Sequence, residues 1–196
     1  MPRPIGQGEK TKQKIAFNAK NLFEIKGYKS TSIKNIQEAS ELSKGIFYHH
    51  FDSKENVYLY CLEEASTLML KKWENKSKNA KSSREKLYIL AELYAEDSQS
   101  ALTKTIPNFL ASNTKGHLQQ IVTKIIDSEI HVFKSIIEEG IYNNEFRKEL
   151  DVIETAYILY STLVNVSSTE YFGYKKDIKH VYHRFVHLFL DGMARE

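Results

Sequence analysis

This chain lacks most of what would mark a secreted, membrane-spanning or sheet-based protein. A single cysteine, Cys61, in 196 residues excludes an internal disulfide and fits a reducing cytoplasm. Three prolines, and no sustained alternation of β-branched with polar residues, leave an all-α reading. The apolar runs are short and broken by charges, so no segment supplies the roughly 20 apolar residues of a membrane span. The opening MPRPIGQGEKTKQK has no apolar stretch of the kind that directs secretion. Nucleophile motifs, phosphate-binding loops and paired-carboxylate constellations are also missing. A cytoplasmic, non-enzymatic chain without cofactor or membrane is therefore expected.

What is present is a packed helical protein with uneven charge. Hydrophobic residues make up 41% and charged residues 27%, enough apolar content to bury a core and too much for disorder. Met1 to Tyr60 carries ten Lys/Arg against six Asp/Glu, whereas the remainder carries 18 against 19. A basic N-terminal third on a near-neutral body is the charge layout of a nucleic-acid-binding head.

Periodicity and caps divide the chain. Ile15, Ala16, Ala19, Leu22 and Phe23 share one face of a helix over Lys10 to Lys26, and Gly27 supplies its stop. Thr31 or Ser32 caps a second helix running to about Ala39. Ser43 caps a short third helix to His50, and Ser53 caps a fourth to about Lys76, with Glu55 in its first turn. Ser77 to Ser83 reads as a linker. Further helices are expected over Arg84 to Ser98, Ala101 to Ser112 (bent or broken by Pro107), Lys115 to Tyr142, Glu149 to Tyr171 and Lys176 to Ala194, with Gly173 separating the last two.

The stretch Thr31 to Glu55, two short helices around a tight turn with a third launched straight after them, can place a helix N-terminus in a DNA major groove. It resembles the TetR family of one-component regulators. The resemblance rests on Ile15, Ala19, Leu22, Phe23, Gly27 and Tyr28, then Thr31, Ser32 and Ile36, then Ser43-Lys44-Gly45, Tyr48, His50, Phe51 and Ser53-Lys54-Glu55. Gly140, Glu145-Phe146-Arg147 and Asp151 resemble a turn common in the family's body. One departure stands out: the interhelical turn holds Ser40-Glu41-Leu42 where the family usually has Ala-Gly-Val, so Glu41 is expected at positive φ.

The resemblance implies a helix-turn-helix DNA-binding domain over residues 1–52 and a helical effector-binding and dimerisation domain over 53–196. Free backbone N–H groups at Ser43 and the close approach allowed by Gly45 suit DNA. Lys44 suits a phosphate or a guanine edge, and Ile46 a thymine methyl. Thr31, Tyr48 and Lys54 suit phosphate contacts as in the family, and His49 is expected to face DNA. Phe47, His50 and Phe51 are expected to pack inward. Family members dimerise through their last two helices, here 149–171 and 176–194, which implies a homodimer on a palindromic operator.

The body is rich in aromatics, among them Trp73, Tyr88, Tyr94, Phe109, Phe133, Tyr157, Tyr160, Tyr171 and Phe172. Glu129 falls within the apolar stripe Leu118, Ile121, Val122, Ile125, Ile126, Phe133, Ile136 and Ile137. A carboxylate there needs a protein partner or a ligand. Met69, Trp73, Tyr94, Phe109, Glu129, Phe133, Tyr157 and Tyr160 are the candidate effector residues. A lipophilic ligand is expected, cationic if Glu129 takes part. The tract SREKLYILAELY is similar to the matching part of multidrug-sensing repressors of the family. The alternative is an architectural or protein-interaction DNA-binding factor with a filled body. His180, His183 and His187 share a face of the last helix, but nothing obviously completes a metal site, so no metal is expected. Cys61 reads as a small core residue.

Overall fold

The computed structural model describes residues 7–97, 102–113, 116–166 and 177–193. Its α-helices are α1 (Gln7–Ser30), α2 (Ile33–Ser40), α3 (Lys44–His50), α4 (Lys54–Ser77), α5 (Ser83–Asp97), α6 (Ile106–Ser112), α7 (Gly116–Tyr142), α8 (Val152–Val166) and α9 (Ile178–Met193). A 3₁₀ turn at Thr103–Thr105 leads into α6. The fold is all-α, and no helix among the described residues is long and apolar enough to cross a membrane.

Local chemistry sets most helix ends. Ser32 caps α2 by accepting from the Asn35 N–H, and the Asn35 side chain accepts in return from the Ser32 N–H at 3.0 Å. Ser43 Oγ accepts from the Ile46 N–H, and Ser53 Oγ from the Asn56 N–H. Glu41 adopts φ 55°, ψ 42°, the left-handed conformation expected from the missing glycine. Its N–H and that of Leu42 reach back to Glu38 O and Gln37 O, closing α2 with the reverse turn that only left-handed backbone allows.

Gly27 interrupts the first helix as expected (φ 78°, ψ 163°), with one further short turn to Ser30 beyond the kink. Two expectations need correction. Pro107 lies in the first turn of α6, where its missing N–H costs nothing, so it starts a helix instead of bending one. Helix α8 begins at Val152, not Glu149, because Asp151 caps it by accepting from the Glu154 N–H at 2.9 Å. Ser98, Ala101, Lys115, Tyr171, Phe172, Gly173, Lys176 and Ala194 lie outside the described residues.

Packing separates the chain into two units, Met1–Ser66 with Ser100–Thr123, and Thr67–Gln99 with Lys124–Glu196, so α4 and α7 each contribute to both. In the first unit Ile15, Ala19, Phe23, Ile36, Phe47, Val57, Tyr58 and Phe109 are buried. Phe109 of α6 stacks on Tyr58 at 4.5 Å and meets the Tyr28 ring edge-on at 5.0 Å, tying α6 to α1 and α4. Thr105 donates to Leu102 O, which leaves the Tyr58 hydroxyl to donate to Thr105 Oγ1 at 2.7 Å. Cys61 is buried as expected, donates to Ala16 O, and burial pushes its thiol up to about 12.

The second unit is built on α5 packed along α9, with α7 and α8 completing one apolar cluster around Leu90, Phe133, Ile137, Leu159, Tyr182 and Val186. The Glu145-Phe146-Arg147 turn secures it. Glu145 accepts from the Ser83 and Arg84 N–H groups at the start of α5, where the helix dipole favours an acid. Phe146 is fully buried against Gly140, leaving no room for a Cβ there. The Arg147 backbone and guanidinium donate to Met193 O and Gly192 O at the end of α9.

Candidate nucleic-acid interface and effector cluster

Helix α3 has only seven residues, so its orientation depends on what it buries. Phe47 is fully buried and Phe51 nearly so, and both rings anchor the helix on the first unit. The opposite face then presents Lys44, Gly45, Tyr48 and His49, all exposed, with Ile46 half-buried at the edge. Lys44 Nζ lies 5.9 Å from the Tyr48 ring centroid. A Cβ built on Gly45 would meet nothing within 4 Å, so this part of the face is open to a close-approaching surface. A capped helix start, a lysine, a phenol and an imidazole on one open face can donate to phosphates and base edges.

Two residues expected in that interface are placed differently. Thr31 is buried, and its hydroxyl donates to Gly27 O at 2.9 Å, with Leu22 O at 3.2 Å. It fastens the kink that Gly27 opens instead of presenting a hydroxyl to solvent. Lys54 folds back onto Tyr28: Nζ donates to Tyr28 O at 3.0 Å and sits 4.1 Å from the ring centroid. Burial lowers the Lys54 pKa, opposed by neighbouring Glu55.

Around Tyr28 lies a polar hub that sequence reasoning missed. The Tyr28 hydroxyl donates to Glu55 Oε1 at 2.8 Å and accepts from Asn113 Nδ2 at 3.3 Å. Burial raises the Glu55 pKa, but hydrogen bonds from its own backbone, Tyr28 and Ser53, with the Lys54 charge, outweigh it and hold the carboxyl below its ordinary value. The signal was present in part, since Tyr28, Lys54 and Glu55 all belong to the recognised motif. Asn113, 85 residues from Tyr28, carried none.

In the second unit the fold brings together Tyr94 of α5, Glu129 and Phe133 of α7, and Tyr160 of α8. The rings form a triangle with centroids 5.9 Å (Tyr94–Phe133), 6.1 Å (Phe133–Tyr160) and 6.4 Å (Tyr94–Tyr160) apart. The Tyr94 hydroxyl donates to Glu129 Oε2 at 3.0 Å. Burial first and the Glu129 charge second push both tyrosines well above their ordinary pKa, so they stay protonated donors. Aromatic faces beside a carboxylate can hold an organic cation or a hydrogen-bond donor.

Met69 and Trp73 are half-buried and pack against the same apolar cluster. Phe109 does not join them: it belongs to the first unit, where it stacks on Tyr58. Tyr157 is 44% exposed on α8, with Lys134 Nζ 5.8 Å from its ring centroid, because it lies on the face of α8 turned from the core. His183 lies 3.5 Å from Glu92 and stacks on Tyr88, and among the described residues no group of side chains is arranged to hold a metal.

A helix-turn-helix with an open recognition face, joined to a helical body containing an aromatic–carboxylate cluster, defines a DNA-binding regulator. The chain belongs to the tetR family of bacterial regulatory proteins, whose family model matches residues 18–61, and residues 64–195 match the C-terminal region of QacR-like proteins. It is 28% identical over 191 residues to the HTH-type transcriptional regulator QacR of Staphylococcus aureus, covering 94% of this chain and 98% of that one. It is likewise 28% identical over 128 residues to IcaR of Staphylococcus epidermidis, a negative transcriptional regulator of the biofilm operon icaADBC, covering 62% and 69%. The fold is shared with FadR from Bacillus subtilis, solved in complex with stearoyl-CoA, with a TM-score of 0.82 at 18% identity over 92% of this chain and 98% of that one.

Proposed function

We propose that this TetR-family transcriptional regulator is a cytoplasmic homodimeric repressor that leaves a palindromic operator when a small lipophilic ligand binds. Residues 1–52 form the DNA-binding head and 53–196 the effector-binding and dimerisation body. The observation that carries the reading is the open face of α3: Lys44, Gly45, Tyr48 and His49 point outward while Phe47 and Phe51 anchor the helix beneath. Ser43 and Ile46 complete the DNA contact. Thr31 and Lys54 act one layer behind it, holding the Gly27–Tyr28 turn in place.

Dimerisation is supported by apolar side chains that the body leaves in solvent on its last two helices. Ile153 and Ile158 of α8 and Leu188 of α9 are about half exposed or more, beside Tyr157. A second copy of the same face would cover them, and the two-fold axis would present two α3 helices to the two half-sites of the operator. The ligand site centres on Glu129, Tyr94, Phe133 and Tyr160, and Glu129 selects for a cation. The ligand acts by preferring one arrangement of the body, coupled to the head through the continuous helix α4. A second reading, a DNA-binding factor with a filled body, draws support from Tyr94 already engaging Glu129 and from the full burial of Phe133.

A mobility-shift titration against DNA flanking the protein's own gene, with and without a panel of lipophilic cations, separates the two. Reversal of a specific shift, lost selectively for cations in Glu129→Gln, supports the sensing repressor. A specific shift that no compound reverses favours the filled body. Lys44→Ala should weaken the shift and flatten its salt dependence, since one fewer counterion is released. Unchanged affinity would remove α3 from the interface.

A further inference from the structure

Away from the Glu129 cluster, the second unit carries an open groove of about 580 Å³ between α4 and α7, with α5 at one end. That is within the size range of small-molecule sites. Leu70 and Trp73 of α4 face Val132 and Ile136 of α7 across it, and Trp73, Val132 and Ile136 belong to or pack against the apolar cluster. The floor is therefore apolar and backed by a rigid core.

The rim carries charges in balance. At the α5 end Lys86 and Glu139 form an ion pair and neutralise each other. Glu74 lies near the C-terminal end of α4 and Lys78 just beyond that end. They do not pair. Lys78 is hydrogen-bonded to Asn75, and Glu74 has no partner among the described residues. Both stay exposed at the groove, next to the indole of Trp73. A singly charged guest would meet one attractive and one repulsive rim charge. A guest carrying both signs would meet its complement twice.

We propose that this groove binds an amphipathic zwitterion, its apolar tail on Leu70, Trp73, Val132 and Ile136, its cationic group beside Trp73 and Glu74, and its anionic group at Lys78. Trp73 supplies the aromatic face that an ammonium prefers. The groove lies along Ser128, His131 and Ser135 of α7, on a different face of that helix from Phe133, so the site is separate from the aromatic–carboxylate cluster. The proposal rests on the body being an effector-binding unit, but its readout does not involve the operator.

Trp73 is the sole tryptophan of the chain and lines this groove, so its fluorescence reports binding here, and Ser135→Phe separates that signal from one transmitted through the apolar cluster. The full chain would be titrated with three probes sharing one dodecyl tail, an alkyl betaine, an alkyltrimethylammonium and an alkyl carboxylate, each below its micelle concentration. The betaine is expected to bind about tenfold or more tighter than either singly charged probe, a difference near 1.4 kcal/mol. Lys78→Ala should bring it to the level of the ammonium, Glu74→Ala to that of the carboxylate, and Ser135→Phe, which fills the groove from an exposed position, should abolish all three. Equal affinity for the three tails, tighter binding of a singly charged probe, a silent Trp73, or a response surviving Ser135→Phe would each overturn the proposal. So would co-sedimentation with phosphatidylcholine vesicles without binding of the free betaine, since that marks a membrane surface. A failed mobility-shift reversal with a working Trp73 response would count against operator release alone, and the opposite pair of results against this groove alone.

Discussion

The first unit, a head widened by the start of α4 and by α6, and the second unit, the body, are both helical, yet they encode their structure differently. In the head, single residues decide: Ser32, Ser43 and Ser53 cap helices, Gly27 kinks one, and Phe47 and Phe51 orient a seven-residue α3. In the body, the residues that decide are buried in groups, and the helices are long enough for one substitution to be absorbed. A short helix has few hydrogen bonds of its own and depends on caps and anchors, whereas a long amphipathic one depends on the summed burial of its face. Local chemistry therefore carries the identity of the head, and shape carries that of the body.

The largest expected effect tests whether α6 belongs to the head. Phe109→Ala removes a fully buried ring from between Tyr28 and Tyr58 and should cost about 3–5 kcal/mol. Thermal unfolding should show the loss, and DNA affinity should fall with it, while ligand affinity of the body holds. A variant that loses ligand binding but keeps the stability of the head would return Phe109 to the effector site.

The body's counterpart is Gly140→Ala. The added Cβ collides with the Phe146 ring, and the turn that fixes Glu145 on α5 and Arg147 on α9 must shift. About 1–3 kcal/mol of destabilisation is expected, read by chemical denaturation. If the long helices absorb the change without loss, the turn is not the fastening that its hydrogen bonds describe.

These two cases mark what could be read in advance. Cap positions were legible because a serine before a helix satisfies an N–H two or three residues on, a matter settled within four residues. The positive φ of Glu41 was legible for the same reason. Phe109 was read as a candidate effector residue from its aromatic type, and the unit it is buried in did not follow, because residue type does not record the neighbour that covers it. Thr31 and Lys54 were assigned outward from position alone, whereas the carbonyls of Gly27 and Tyr28, exposed by the kink, draw both side chains inward. Among the candidate effector residues, the carboxylate in the stripe of α7 pointed to Glu129, which the fold groups with Tyr94, Phe133 and Tyr160, and the exposure of Tyr157 was not anticipated.

A smaller effect separates the head by its pH dependence. Glu55 is held below its ordinary pKa in the folded chain, so its contribution is present above about pH 4.3, the unfolded value, and is lost as pH falls through the folded one. Tyr28→Phe removes the hydroxyl that donates to Glu55. It should cost about 1–2 kcal/mol near neutrality, where the carboxylate is charged, and less in acid, where it is protonated in both states. Stability measured from pH 7 down to pH 3 should show the variant and the parent converging. A constant gap across that range would assign the loss to packing, or to the Asn113 bond, in place of the charged pair.

The smallest effect runs in the stabilising direction and sharpens the contrast most directly. Glu41 holds φ 55° at the end of α2, where its N–H and that of Leu42 close the helix on Glu38 O and Gln37 O. A side chain in that conformation places Cβ against its own backbone at a cost of roughly 1–2 kcal/mol, which glycine avoids while losing more freedom on folding. The Glu41 side chain offers little in return, because its 3.6 Å pair with Lys14 is solvent-exposed and worth little. Glu41→Gly should therefore stabilise the head by about 0.5–1 kcal/mol with operator affinity unchanged, whereas a β-branched Glu41→Val should destabilise it. Thermal melts of the two variants, paired with a DNA titration, check both signs. If both substitutions lower stability, the turn owes more to the carboxylate than to the backbone, and the head would depend at this turn, as the body does, on side-chain interactions.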